Sequence, residues 1–437
     1  VGIPQELKDE IKEFDDNLLI IDEIHNIRLS DNESNSKKLV VKALKTLVDN
    51  VDNMRLLLLS ATPMFNSYKE VIYLLNLMNK NDNRSTITMS DVFTKDGNFK
   101  ISESGEEVGK ELLERKATGY VSFVRGENPY TFPFRIWPSD FSPENTFDNY
   151  PIPELQFNDK PIVQELEMLS LYLNKLSSYQ EKVYNNIIQQ FVLKNKEIPS
   201  FENMEESGYT ILQKSLDVLN IVYPEEIGDT SSTVYDYKDL IGKGGLKRMM
   251  SYTESYTPPE KSNFEYKDEQ YGRIFSYNEI GKYSTKIKSI CEHILNSEGV
   301  VLIYSQYIDG GLIPVALALE ELGFIRGGNV KSLFKEPPKE QLDVITYKNK
   351  SEVREGFKPA KYVMITGDVT LSPNNKADVE LATTPDNKDG HEIKVILISQ
   401  AGSEGLDFKF IRQVHVLEPW YNMNRIEQII GRAVRNC

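Results

Sequence analysis

Short runs of aliphatic residues alternate with helical segments at the start of the chain. Two such runs occupy residues 18–21 and 56–59, and an amphipathic segment over residues 37–48 lies between them. Continuous aliphatic runs are typical of strands buried on both faces of a parallel sheet, and parallel strands need a crossover segment such as a helix. The pattern therefore predicts a strand, helix, strand unit, flanked by helices over residues 5–14 and 67–78.

The same pattern returns in the last third of the chain. Strands are predicted over residues 299–304, 361–366, 393–398 and 413–417, and helices over residues 310–322 and 424–434. Aliphatic strands interleaved with helices predict a second parallel sheet. The fold class is therefore α/β, with two parallel-sheet domains in tandem.

The middle of the chain follows a different pattern. Prolines interrupt the periodicity between residues 85 and 158, and one long helix is predicted over residues 161–194. Residues 201–283 are rich in tyrosine and are interpreted as a largely helical insertion. Its tyrosines could stack on nucleic-acid bases, although such a segment more often packs on itself or on a partner protein. The predicted domain limits are residues 1–150, 151–282 and 283–437.

Composition narrows the class of protein. The chain of 437 residues is long enough for two or three domains, and its net charge of −15 argues against a globally basic nucleic-acid-binding protein. A local groove of basic and backbone donors is compatible with that charge. No apolar run approaches the roughly 20 residues that cross a bilayer, and the first residues lack the pattern of a signal peptide. We therefore expect an intracellular protein with no membrane contact.

Cysteine and histidine give no sign of a disulfide framework or of a metal held by protein ligands alone. Cys291 and Cys437 stand far apart, which suits a reducing compartment. The segment Cys291-Glu292-His293 lacks further ligands at the spacing of a metal site, so a buried or surface role is the favoured interpretation.

Two carboxylates, Asp22 and Glu23, follow the first aliphatic run directly. Ligands of α/β proteins bind at the carboxyl ends of parallel strands. An Asp there can hold Mg²⁺ together with water, and a Glu can orient and deprotonate an attacking water. The alternative is a strand that happens to end in a solvated acidic pair, and Asp22 and Glu23 alone do not decide between the two.

Three further motifs decide the matter. In chain order the set is Asp22-Glu23-Ile24-His25, Ser60-Ala61-Thr62, SQAGSEGLD at residues 399–407 and QIIGRAVR at residues 428–435. In this order they resemble motifs II, III, V and VI of superfamily-two helicases and translocases of the DExH kind. Tyr304-Ser305, after a predicted buried strand, is similar to motif IV. The resemblance implies two RecA-like domains, with ATP and Mg²⁺ as cofactors.

Two segments resemble one branch of this superfamily more closely. They are FVRGENP at residues 123–129, and EPWYN at residues 418–422 with RIEQ at residues 425–428. Both are similar to the helicases of nucleocytoplasmic large DNA viruses, the group that includes the poxvirus early transcription factor ATPase subunit and nucleoside triphosphate phosphohydrolase.

The resemblance implies roles for the first two motifs. Asp22 would hold Mg²⁺, Glu23 would be the general base, and His25 would relay the state of the nucleotide. Ser60 and Thr62 would couple the acids to the nucleic-acid cleft.

The resemblance also implies roles in the second domain. Gly405 would let the backbone approach phosphates, and Asp407 would face the ATP ribose. Ser305, Ser403 and Glu404 would contact nucleic acid or couple it to hydrolysis.

Gln428, Arg432 and Arg435 are spaced by four and by three residues, so on one helix all three can face the same side. By resemblance, Arg432 would contact the γ-phosphate and Arg435 would be the arginine finger. The alternative for these residues is a solvated basic helix face.

The sequence departs from the superfamily at the phosphate-binding loop. No segment has the G-x-x-x-x-G-K-[ST] spacing, and residues 242–245 neither follow a buried strand nor fit it. We expect a fragment truncated at both ends, with an incomplete first domain. We further expect that these 437 residues neither bind ATP tightly nor hydrolyse it, whereas the full-length protein does both.

The leading hypothesis is a nucleic-acid-stimulated ATPase, helicase or translocase, serving viral transcription or genome handling. Its partners would be DNA or RNA and viral transcription machinery, in the host cytoplasm or the virion. Two alternatives stay open: a Swi/Snf-like or restriction-type duplex translocase, and a non-catalytic scaffold that keeps the helicase fold.

Overall fold

The computed structural model describes a large part of the chain in two compact units. The described residues are 5–27, 35–61, 63–64, 69–94, 97–123, 133–155, 161–162, 166, 170–195, 214–225, 239–253, 262–267, 271–328, 330–400, 406–419 and 423–434. Unit 1 comprises residues 1–127 with 421–425, and unit 2 comprises residues 128–420 with 426–437. The limits of the functional domains stay a prediction.

Unit 1 is built on two parallel strands joined by a helix. In chain order its elements are α1 (Gln5–Lys12), β1 (Leu18–Ile21), α2 (Asn35–Asn50), β2 (Arg55–Leu58), α3 (Lys69–Asn81), α4 (Met89–Val92) and α5 (Val108–Ala117). Leu19 pairs with Leu56, and Ile21 with Leu58, in a parallel register. The predicted strand, helix, strand unit is therefore confirmed.

The two faces of this strand pair differ in burial. Leu19, Ile21, Leu56 and Leu58 pack against a core formed with α2 and α3. On the opposite face Leu18, Ile20 and Leu57 are 56%, 53% and 43% exposed. The prediction that both strands are buried on both faces is therefore wrong, because in the described structure the core covers only one side of the pair.

Unit 2 contains a five-stranded parallel sheet. Its strands are β5 (Val300–Tyr304), β6 (Ile325–Arg326), β7 (Lys361–Ile365), β8 (Val395–Ile398) and β9 (Ile411–Val416). Their order across the sheet is β6-β7-β8-β5-β9, with β7, β8 and β5 inside. The four predicted strands are confirmed, and β6 is an additional short one.

Helices cover both faces of this sheet, as a parallel sheet requires. They are α10 (Ile280–Tyr283), α11 (Thr285–Leu295), α12 (Ile313–Leu322), α13 (Asn375–Thr383) and α14 (Met423–Gly431). Val301 and Ile303 of β5 pack into a core with α11 and α12. Val300, Leu302 and Tyr304 point to the other side, into a core with α13 and α14.

The long helix predicted over residues 161–194 is shorter in the structure. In this region α6 (Pro138–Phe141) is followed much later by α7 (Ser178–Asn195). The Ser177 hydroxyl caps α7, since Gln180 N donates to Ser177 Oγ at 3.1 Å. Before it, Leu173 N donates to Asn145 O at 2.7 Å. The helical prediction is therefore wrong for the described residues between 161 and 177, where the backbone pairs with another segment.

The described part of the insertion combines helices with one strand pair. Residues 214–220 form α8, and α9 covers Gly242–Met249. The strands β3 (Met250–Thr253) and β4 (Ser262–Tyr266) pair antiparallel, which the tyrosine-rich composition did not predict. No helix among the described residues is long and apolar enough to cross a membrane.

Candidate functional site

The carboxyl end of β1 places two acids in solvent. Asp22 and Glu23 are both exposed. Glu23 has a φ of 51°, a left-handed conformation that is uncommon for a residue with a side chain. Its N–H donates to Asp22 Oδ1 at 2.9 Å. This turn leaves the second oxygen of Asp22 and the exposed carboxylate of Glu23, one oxygen of which lies near His25, on the solvent side of the strand end.

A short 3₁₀ turn, Ile24–Asn26, connects these acids to the end of β2. Ile24 N donates to Leu59 O at 3.1 Å, and Ile24 and His25 are buried. His25 Nδ1 lies 3.0 Å from Ser60 Oγ and 3.2 Å from Glu23 Oε2. The structure thus brings Glu23, His25 and Ser60 together in unit 1. Thr62 lies outside the described residues.

The donor set of this site fits a magnesium ion that arrives with a nucleotide. Mg²⁺ usually binds one or two carboxylates and completes its shell with water and phosphate oxygens. Asp22 has such an oxygen available. The described residues contain no group of three or more His, Cys, Asp or Glu side chains that could hold a metal ion. The exposed Asp22 therefore suits a metal shared with phosphates better than a site closed by protein ligands.

Polar residues follow the strands of unit 2 at one edge of the sheet. Ser305 N donates to Ile398 O at 3.2 Å, and Ser399 N donates to Ile365 O at 3.2 Å. Gly367 N donates to Ser399 Oγ at 3.4 Å. Ser305, Thr366 and Ser399 are buried. This row of hydroxyl and backbone groups lies at the carboxyl ends of parallel strands, which is where α/β sheets bind ligands.

Motif V and motif VI meet at Arg432. Arg432 donates from its guanidinium to Leu406 O at 3.1 Å, and its own carbonyl accepts from Phe408 N at 3.1 Å. Asp407, between those two residues, is exposed. Gln428 lies on α14, but that helix ends at Gly431 and Arg432 stands in the turn that follows. The expectation that Arg432 shares a helix with Gln428 is therefore wrong by one residue.

Several predicted site residues cannot be placed. Ser403, Glu404, Gly405 and Arg435 lie outside the described residues, as does Thr62 in unit 1. Their roles stay predictions.

Two contacts near these motifs were missed by the sequence analysis. Arg135 Nη2 lies 3.3 Å from Glu427 Oε1, and its guanidinium carbon lies 4.3 Å from the Trp137 ring centroid. Glu418, directly after β9, is buried and accepts a hydrogen bond of 2.6 Å from Ser305 Oγ. The signals for Glu418 were its position after an aliphatic strand and its place at the start of the EPWYN segment, and no spacing signal marks Arg135.

The two ends of the chain match two protein families. Residues 3–116 match the SNF2-related domain, and residues 330–437 match the helicase conserved C-terminal domain. The chain thus has the SNF2-related and helicase C-terminal domains of a superfamily-two helicase. The predicted fold class, with two RecA-like α/β domains in tandem, is confirmed.

Within this class the chain resembles proteins of large DNA viruses. A candidate ATP-dependent RNA helicase of Acanthamoeba polyphaga mimivirus is 27% identical, over 96% of this chain and 56% of that protein. A termination factor NPH-I homolog of African swine fever virus is 23% identical, over 96% of this chain and 53% of its own length. Nucleoside triphosphatase I of Heliothis armigera entomopoxvirus is 24% identical, over 100% of this chain and 56% of that protein. The chain spans about half the length of these relatives.

Among solved structures, the chain is similar to a Sulfolobus solfataricus SWI2/SNF2 ATPase core in complex with dsDNA. The sequence identity is 14% and the TM-score is 0.30, with 96% of this chain and 62% of that chain covered.

Proposed function

We propose that these residues are part of a nucleic-acid-stimulated ATPase, a helicase or translocase. The observation that carries this proposal is the Asp22-Glu23 pair at the carboxyl end of a parallel strand, inside a segment that matches the SNF2-related domain. The helicase C-terminal match and the meeting of motifs V and VI at Arg432 support it.

The site residues divide between ATP chemistry and coupling. Asp22 holds the magnesium ion, which neutralises phosphate charge, and Glu23 takes a proton from the attacking water. Arg432, with Gln428 and Arg435, stabilises charge on the γ-phosphate, while Gly405 and Asp407 contact the nucleotide. Through its contacts with Glu23 and Ser60, His25 transmits the state of the site.

The remaining residues of the proposal bind nucleic acid. Ser305 belongs to the polar row at the carboxyl edge of the unit 2 sheet. By resemblance, Ser403 and Glu404 would contact nucleic acid or couple it to hydrolysis, and Thr62 would couple the acids of unit 1 to the nucleic-acid cleft. Hydroxyl and backbone N–H groups are suitable donors to phosphate oxygens.

We propose further that the 437 residues do not hydrolyse ATP by themselves. The sequence has no G-x-x-x-x-G-K-[ST] segment to cradle the β- and γ-phosphates. The activity belongs, in this proposal, to a longer protein that supplies this loop. Viral relatives favour a role in viral transcription or genome handling, in the host cytoplasm or virion, with the transcription machinery as a partner.

The test extends the reading frame upstream of Val1 and measures ATP hydrolysis with and without DNA and RNA. Stimulated turnover that Glu23→Gln abolishes is the expected result, because the amide cannot accept the proton of the attacking water. Glu103→Gln, at an exposed loop of the same unit, is the matched control and should leave turnover unchanged. An extended protein with no turnover on any polymer would support the non-catalytic scaffold instead.

Duplex translocation without strand separation is the second candidate, because the N-terminal match is to the SNF2-related domain. The two activities separate in one experiment on the extended protein. A helicase displaces one strand of a partial duplex, whereas a duplex translocase displaces the third strand of a triplex and leaves the duplex intact.

A further inference from the structure

A buried carboxylate, Glu418, lies at the carboxyl end of β9 and accepts hydrogen bonds from two parts of the chain. Oε1 accepts from Ser305 Oγ at 2.6 Å and from Asn220 Nδ2 at 2.6 Å. Oε2 accepts from Gln306 N at 3.1 Å. Glu418 is only 2% exposed, so these donors replace the water that a carboxylate would otherwise bind.

The turn at Ser305–Tyr307 depends on this carboxylate for its shape. Tyr307 N donates to Ser305 Oγ at 3.1 Å, and Ser305 Oγ in turn donates to Glu418. One oxygen of Glu418 thus holds the Ser305 side chain, and the other holds the backbone of the turn at Gln306. A turn held in this way presents its remaining groups in one fixed orientation.

The inserted segment and the helix α11 beyond it supply the other two members of the cluster. Asn220 is the last residue of α8 and is fully buried, and Lys286 lies in the first turn of α11. Lys286 Nζ donates to Leu417 O at 2.7 Å and to Asn220 Oδ1 at 3.3 Å. A cation in the first turn of a helix opposes the helix dipole. The carbonyl and the nearby Glu418 charge compensate for this unfavourable position.

The packing around the cluster leaves no space for adjustment. A Cβ on Gly311 would stand 2.1 Å from Ser305 Oγ and 3.3 Å from Glu418 Oε1. Burial raises the pKa of Glu418, while the hydrogen bond from Ser305, Lys286 and the bond from Asn220 lower it. The buried carboxyl group therefore depends on these donors in place of water, and the donors depend on it for an acceptor.

We infer that Glu418 is a positioning residue that holds the Ser305–Tyr307 turn in the orientation that binds nucleic acid, and that Asn220, through its bonds to Glu418 and to Lys286 of α11, links the inserted segment to that turn. The nucleic-acid part of this inference rests on the proposed function. The positioning part rests on the hydrogen bonds alone.

The test compares Glu418→Gln with the unaltered 437-residue chain. A glutamine offers one acceptor oxygen in place of two, so in either amide orientation one side of the turn loses its acceptor. Hydrogen exchange at the Gln306 and Tyr307 amides should become about tenfold faster, as expected for losing a hydrogen bond to a charged group. The β5 amides should keep their protection. Glu355→Gln, at an exposed position of unit 2, is the matched control.

A double variant separates positioning from simple stabilisation. Asn220→Asp with Glu418→Gln moves the charge to position 220, where Lys286 lies within 3.3 Å, and keeps a hydrogen bond between the two side chains. We expect it to restore the melting temperature but not the amide protection at Gln306 and Tyr307. Affinity for single-stranded and duplex oligonucleotides, measured by fluorescence anisotropy, should stay about tenfold below that of the unaltered chain.

Each result has a distinct consequence. Unchanged exchange at Gln306 and Tyr307 in Glu418→Gln would overturn the positioning role. Full recovery of protection and affinity in the double variant would also overturn it, since a charge at position 220 and the surrounding packing would then be enough to hold the turn. No nucleic-acid binding by the unaltered chain, with altered exchange in Glu418→Gln, would refute the proposed function and leave the positioning role standing.

Discussion

At the scale of single residues, His25 connects the acids of unit 1 with the end of the neighbouring strand. Its Nδ1 lies within hydrogen-bond distance of both Glu23 Oε2 and Ser60 Oγ. One ring nitrogen carries at most one proton, so stronger binding to one partner weakens the contact with the other. A change at Glu23, such as proton uptake from water, would therefore alter the hydrogen bond between His25 and Ser60.

Ser60→Ala should remove this response while leaving the acids in place. In the extended protein we expect basal ATP hydrolysis to stay within twofold and stimulation by nucleic acid to fall about fivefold. That factor corresponds to the roughly 1 kcal/mol of a typical hydrogen bond. Parallel assays with Ser90→Ala, at an exposed position of unit 1, provide the control. Equal loss of basal and stimulated rates would mean that Ser60 supports the fold rather than coupling.

A second histidine, His415 on β9, sets a pH dependence of stability. Burial, followed by the nearby His293, lowers the pKa of His415 to about 4. In the unfolded chain this histidine has a pKa near 6.5, so on acidification the unfolded chain takes up the proton before the folded chain does. The contribution of neutral His415 to stability is therefore complete above pH 6.5. It is lost as the pH falls from 6.5 towards 4.

This loss can be measured by urea unfolding of unit 2, with hydrogen exchange of the β5 amides as the readout. Between pH 7 and pH 5 the free energy of unfolding should fall by about 2 kcal/mol on account of His415. His415→Gln cannot take up the proton and should flatten this part of the profile. The matched control is His391→Gln, because His391 lies outside the sheet. Identical profiles for His415→Gln and the unaltered chain would contradict the assignment.

At the scale of elements, aliphatic pattern predicted most of the parallel strands. Runs such as those of β5 and β8 are apolar at every position, because helices cover both faces of the unit 2 sheet. β6 was missed because it has two residues, and α13 because its apolar positions are few. The pattern could not show that α7 starts only at Ser178, since a hydroxyl cap and a distant backbone contact decide that boundary.

Some candidate residues were predicted from their place just after a strand, and the structure confirms that place for Asp22, Ser60 and Ser305 while their roles stay predictions. The contacts of Glu418 with Asn220 and of Glu427 with Arg135 join residues far apart in sequence. No local spacing encodes such pairs, because they arise only when the chain has folded.

The β1 and β2 pair leads to a prediction about its exposed face. Ile20 and Leu57 are paired across the two strands on their exposed face. Ile20→Thr with Leu57→Thr should therefore change the free energy of unfolding of unit 1 by less than about 0.5 kcal/mol. Leu19 and Leu56 are the matched pair on the inward face and pack against the core. Leu19→Thr with Leu56→Thr should lower the free energy of unfolding by about 2 kcal/mol or more. Chemical denaturation followed by β2 amide exchange compares the two. Equal costs would show that the outer face is covered in solution.

At the scale of the whole molecule, net charge bears on the nucleic-acid binding that we propose. The chain carries a net charge of −15. The row at the carboxyl edge of the unit 2 sheet consists of hydroxyl groups and backbone N–H groups at Ser305, Thr366, Gly367 and Ser399. Ser305, Thr366 and Ser399 are buried, so Gly367 is the exposed member of this row whose backbone can approach a phosphate, and a neutral contact of this kind displaces no counterions.

The affinity of the 437-residue chain for nucleic acid should therefore depend only weakly on salt. A protein that neutralises about two phosphates binds roughly tenfold more weakly at 200 mM than at 50 mM salt, against a thousandfold or more for six or more basic contacts, and we expect no more than the smaller change here. Fluorescence anisotropy with one oligonucleotide across this range gives the slope. Ser399→Ala should lower the affinity and leave the slope unchanged, because it removes the neutral hydroxyl that accepts the Gly367 N–H. A steep slope would show that basic side chains, rather than this row, form the main contact surface.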